Sequence, residues 1–85
     1  MPENKIGEVS HFFAKPMVAA IKLSASLKVG DTIHIKGSST DITFEVQSMQ
    51  IDRNSVESAE AGADVGIKVP ERARDGDTVF LVTAD

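Results

Sequence analysis

Apolar and polar residues alternate over most of this chain, and the alternation stops at clusters of glycine, serine and proline. Met17, Ala19, Ile21 and Leu23 share one side, with Val18, Ala20 and Lys22 opposite. A period of two marks a strand buried on one face. Ile33 and Ile35 repeat the pattern, which leaves Thr32, His34 and Lys36 in water. Ile42, Phe44 and Val46 alternate with Thr43, Glu45 and Gln47, and Val65, Ile67 and Val69 form a further row ended by Pro70. Thr78 to Val82 predicts a last strand, with either Val79 and Leu81 or Phe80 and Val82 inside. Ile6 to Phe13 predicts a first strand whose inward set is ambiguous. Val9, His11 and Phe13 lie on one face, and Ile6, Glu8, Ser10 and Phe12 on the other.

The interruptions read as turns. Ala14-Lys15-Pro16 is one, because proline fixes φ and lacks a ladder donor. Leu27-Lys28-Val29-Gly30-Asp31 is a tight turn in which Gly30 supplies a positive φ. Gly76-Asp77 in the charged stretch Glu71 to Asp77 echoes Gly30-Asp31, and Gly62 and Gly66 are read as further turn glycines. In the run that begins at Ile42, core positions are even through Val46 but odd from Met49. A strand reverses its buried face only with an extra residue, which predicts a β-bulge near Gln47-Ser48. Asp52 to Ala63 is polar, and Val56 to Glu60 has room for one helical turn, too short to stand alone.

About six strands and no long helix predict an all-β fold. A small closed six-stranded antiparallel β-barrel is favoured over an open sheet, since closure removes exposed edges. The expected organisation is a flexible N-terminus over 1–5, a single barrel domain over 6–82 and a C-terminal tail over 83–85.

Composition narrows the function. The 85 residues contain no cysteine, which removes disulfides, thiolate metal sites and cysteine nucleophiles. Thirteen acids against nine bases give a net charge of −4, poor for sequence-independent nucleic-acid binding. No apolar run approaches the roughly 18 residues that span a bilayer. The polar start Met1-Pro2-Glu3-Asn4-Lys5 lacks a signal peptide's apolar segment. These features predict a complete, soluble, cytoplasmic chain with no membrane partner, its oligomeric state left open.

Several segments carry a resemblance. Ile6-Gly7-Glu8-Val9, Leu27 to Ile33, Val46 to Ile51, Val56 to Ile67 and Arg74 to Val79 resemble the β-barrel second domain of translation elongation factors of the elongation factor Tu type. Ala61-Gly62-Ala63-Asp64-Val65-Gly66-Ile67 is the most specific piece. The chain is also similar to the C-terminal barrel of collagenase-like peptidases, and most of all to free-standing translation-factor-like small proteins. The elongation-factor resemblance implies a role beside the aminoacylated end of tRNA, in a cleft shared with a GTPase domain. No Gly-x-x-x-x-Gly-Lys-Ser/Thr loop is present, so no nucleotide site and no GTPase activity are expected. The family's usual arginine is also missing, since Ser10-His11 follows Glu8-Val9.

Candidate chemistry is sparse. His11 and His34 lack the carboxylate spacing of a metal or catalytic site, and Ser10 lacks a nucleophile elbow. Asp31, Asp75 and Asp77 are turn residues that bond their own backbone, or else acid–base or calcium candidates. No catalytic, cofactor or metal residue is assigned, and an enzyme is not expected. Phe12 and Phe13 send one ring inward and one outward, and an outward ring suits stacking or a partner's pocket. Lys15, Lys22 and Lys28 are candidates for a basic patch, with Arg53, Arg72 and Arg74 in loops that join it or meet a carboxylate. The expected function is a non-enzymatic translation-factor-like module docking on RNA, a ribosomal particle or a protein partner. The alternative is an accessory domain or subunit of a peptidase-type enzyme carried on another chain.

Overall fold

A computed structural model describes residues 3–82, which form ten strands and no helix. They are β1 (Glu3–Phe13), β2 (Val18–Leu23), β3 (Leu27–Lys28), β4 (Thr32–Lys36), β5 (Asp41–Glu45), β6 (Met49–Ile51), β7 (Asn54–Val56), β8 (Ser58–Ala59), β9 (Asp64–Lys68) and β10 (Thr78–Val82). Eight of them make one sheet in the order β5-β4-β10-β1-β2-β9-β6-β7, and β3 and β8 pair separately. Every pairing is antiparallel.

The all-β expectation stands, but the closed six-stranded barrel does not. The end strands β5 and β7 are not paired with each other, so strand pairing leaves the sheet open. The chain leaves the ladder after Glu45. Val46 is then held by the turn at Gly30-Asp31 rather than by another strand. The parity change is therefore no bulge in one strand: residues 46–48 separate β5 from β6, which pairs across the molecule with β9. The sheet still curls around one core. Val46 and Met49 join the same buried cluster as Ile21, Ile33, Ile35, Ile67 and Val79.

The ambiguous first strand resolves into a doubly bulged one. The register of β1 shifts between Lys5 and Gly7 against β10, and between Val9 and His11 against β2. Each extra residue reverses the inward face. Ile6 and Val9 are buried and Phe12 packs on the core, although they belong to both parities. Glu3–Lys5, expected to fray, pair with Phe80–Val82. The expected tail 83–85 and the first two residues of the N-terminus lie outside the described residues. In β10, Val79 is buried and Leu81 packs against the core, which decides between the two faces.

The glycine echo is a set of three matching clasps. Gly30, Gly62 and Gly76 have φ of 98°, 93° and 88°, and each is followed by a residue whose N–H closes a four-residue turn at 3.1 Å. A positive φ at the third position is the type II requirement. Each glycine N–H donates to one distant carbonyl: Gly30 to Val46 (2.9 Å), Gly62 to Leu23 (2.8 Å) and Gly76 to Val9 (2.7 Å). The N–H of that same residue donates back to the carbonyl after the glycine, at Asp31, Ala63 and Asp77 (2.8, 2.9 and 2.8 Å). Two residues thus face one, the glycine-led bulge. Val46, Leu23 and Val9 are all buried, so each clasp pins an aliphatic core residue. Gly66 is no turn: it lies within β9 opposite Ala20 and Gln50. The expected helical turn at 56–60 is replaced by the end of β7 and by β8.

Candidate functional site

The long β9–β10 connection ends beside the β1–β2 hairpin, and the two enclose a cleft of about 640 Å³. His11, Phe12 and Ala14 line it from the hairpin side, Arg72 and Arg74 from the connection, and Ser38 from the β4–β5 turn. The connection is anchored there by local bonds. Ala73 is buried, Arg74 N–H donates to Asp77 Oδ2 (2.8 Å), and the Gly76–Val9 clasp ties the turn to β1. Asp77 is itself buried with its carboxylate committed to that N–H. His11 packs edge-on to Phe13 at 4.5 Å between ring centroids, and its Nδ1 lies 3.8 Å from Asp75 Oδ2.

The phenylalanine pair divides as alternation requires. Phe12 packs against the core and Phe13 is 47% exposed. The lysines do not converge on one cleft. Lys15 is exposed in the hairpin turn, Lys22 lies between Glu8 and Asp64 on neighbouring strands, and Lys28 lines a separate cleft near Ser58 and Asp31. Arg53 sits in the β6–β7 turn, where it and Asp52 both have positive φ (67° and 51°). Asp31 and Asp77 have the same local role: each carboxylate accepts the backbone N–H three residues earlier, from Lys28 (3.1 Å) and Arg74 (2.8 Å). Sequence reasoning named Arg72 and Arg74 but not their meeting with His11 and Ser38. That meeting joins three separate turns, and no local pattern encodes it.

A second cluster corrects the reading of His34 as a solvent-facing residue. Its side chain is only 13% exposed and lies between two carboxylates, Glu3 Oε2 at 2.7 Å from Nδ1 and Asp41 Oδ1 at 2.5 Å from Nε2. Both ring nitrogens donate only in the imidazolium form. The hydrogen bond to Asp41 raises the pKa of His34 above its usual value, desolvation opposes this, and Glu3 adds to the rise. The cluster ties β1, β4 and β5 together. Among the described residues, no group of three or more His, Cys, Asp or Glu is arranged to hold a metal ion. No helix among them is long and apolar enough to cross a membrane.

Comparison with known proteins places the fold. No protein-family model matches the chain. An uncharacterized protease of Methanocaldococcus jannaschii is 46% identical over 79 residues, which are 92% of this chain and 19% of that protein. The chain therefore spans about a fifth of the length of the curated relative it matches. The crystal structure of the C-terminal domain of a candidate U32 peptidase of Geobacillus thermoleovorans superposes with a TM-score of 0.87 at 14% identity, covering 94% of this chain and 93% of that one. Its selenomethionine variant gives 0.85 at 15% identity, covering 89% and 96%. The chain has the fold of that domain. The peptidase side of the expected resemblance is the one these matches carry, and the elongation-factor side gains no support from them.

Proposed function

We propose that this chain is a non-catalytic accessory β-domain of a peptidase-type enzyme, acting beside a catalytic unit to orient a polypeptide or to hold that unit. The observation that carries this reading is the 46% identity to a limited segment of a much longer protease. The fold shared with a peptidase C-terminal domain supports it. The sequence expectation of an RNA-docking module has less behind it, because it came from the elongation-factor resemblance, which these matches do not carry. A fold alone does not assign chemistry. The reading therefore rests on the identity, with the cleft as its docking surface.

Affinity capture from native extract tests it. The tagged chain is expected to retain one stoichiometric polypeptide with peptide-hydrolysing activity, unaffected by nuclease. The purified chain alone is expected to leave peptide substrates intact. Nuclease-sensitive co-sedimentation with ribosomes, or hydrolysis by the purified chain, would overturn the proposal.

A further inference from the structure

Arg72 and Arg74 flank Ala73, which is 1% exposed. Burial of the middle residue turns its two neighbours outward, and both line the cleft. The backbone beneath them is held firmly. Arg74 N–H donates to Asp77 Oδ2 and Arg74 C=O accepts Asp77 N–H, while Asp77 C=O accepts Val9 N–H. Two cationic side chains are thus presented from a framework ordered before any ligand arrives, which lowers the entropic cost of binding.

Among the described residues, neither guanidinium forms a salt bridge. Of the two acids that also line the cleft, Asp77 is buried on the Arg74 N–H, while Asp75 is largely exposed, 3.8 Å from His11. A guanidinium is a planar fork of donors that matches a carboxylate. Beside them, Phe12 lines the cleft and is half-buried.

We propose that this cleft binds an acidic peptide segment, with a carboxylate seated between Arg72 and Arg74 and a neighbouring apolar side chain laid against Phe12. This deepens the accessory-domain reading and rests on it only for where the peptide comes from. The binding chemistry stands on the cleft itself.

The test uses the full 85-residue chain labelled with ¹⁵N. One probe is a blocked tetrapeptide with two glutamates between two leucines; a second has glutamines in their place; the third is inorganic phosphate. The glutamate peptide is expected to shift the amides of His11, Ser38 and Arg74, and the glutamine peptide to bind roughly tenfold or more weakly. Arg72→Gln and Arg74→Gln are each expected to weaken the glutamate peptide about tenfold with the remaining amide spectrum unchanged, and Arg72→Lys to recover part of the loss. Equal binding of the two peptides, full affinity in both glutamine variants, or phosphate binding as tightly as the peptide would each overturn the proposal. Failure here alongside nuclease-resistant capture of an enzyme removes only the acidic peptide. Peptide binding without such capture removes only the accessory-domain reading.

Discussion

The carboxylate of Asp77 fills the space where a side chain at residue 37 would begin. A Cβ built on Gly37 would lie 2.7 Å from Asp77 Cγ and still closer to Oδ1. Asp77 is buried and holds the Arg74 N–H, so it has little freedom to withdraw. Gly37→Ala therefore forces overpacking and breaks a buried hydrogen bond. Urea unfolding is expected to show a loss of about 2–4 kcal/mol. In an Asp77→Ser background the penalty of Gly37→Ala should shrink, because the obstructing carboxylate is gone. An unchanged penalty in that double-mutant cycle would show that the clash lies elsewhere.

Stability should depend on pH through His34. Its folded pKa is raised above the ordinary histidine value, chiefly by Asp41 and then by Glu3. The imidazolium is thus favoured by folding. Its contribution is complete below the unfolded pKa of about 6.5 and is lost as pH rises through the higher folded pKa. Asp41 is largely exposed, so solvent screens the effect and keeps it modest. Thermal melts of the parent chain should show this decline as pH rises above about 6.5, and His34→Gln should flatten it. Parallel pH curves for the two proteins would remove His34 as the cause.

The β6–β7 hairpin carries an unfavourable turn. Asp52 and Arg53 both occupy the left-handed region, the signature of a type I′ turn that prefers Asn-Gly. Each non-glycine residue there costs on the order of 1 kcal/mol. Asp52→Asn with Arg53→Gly is expected to stabilise the domain by about 1 kcal/mol in chemical denaturation, the greater flexibility of glycine when unfolded offsetting part of the gain. Arg53 lies outside the cleft, so the glutamate peptide should bind the double variant as it binds the parent. Weakened binding would place Arg53 in the site.

Ile67 is fully buried at the centre of β9, which pairs with both β2 and β6. Ile67→Ala removes the side chain that links both neighbours to the core. A loss of about 2–5 kcal/mol is expected, a large share of the total for so small a domain. Hydrogen exchange should accelerate in β2 and β6 together. Acceleration confined to β9 would mean that the strands open independently.

Much of this architecture is legible without coordinates, because its rules are local. Strict alternation put Ala19, Ile21, Ile33, Ile35, Ile42, Val65 and Ile67 inside, and all are buried. The three turns at Gly30, Gly62 and Gly76 follow from the need for positive φ, which few other residues meet at low cost. The same logic misassigns Gly66, because a glycine within a strand looks the same in sequence as one in a turn.

The amino-acid order by itself thus determined the all-β class, most of the inward faces and the places where the chain turns, since each depends on residues within a few positions of one another. Tertiary structure decided which strands pair, the two bulges that let Ile6, Val9 and Phe12 enter one core, the gap between β5 and β7, and the meeting of His11, Ser38, Arg72 and Arg74. Those outcomes rest on bonds between segments far apart along the chain, such as the one joining Val9 to Asp77. A periodic pattern records which way a side chain points but not what it meets, and only the folded backbone supplies the partner.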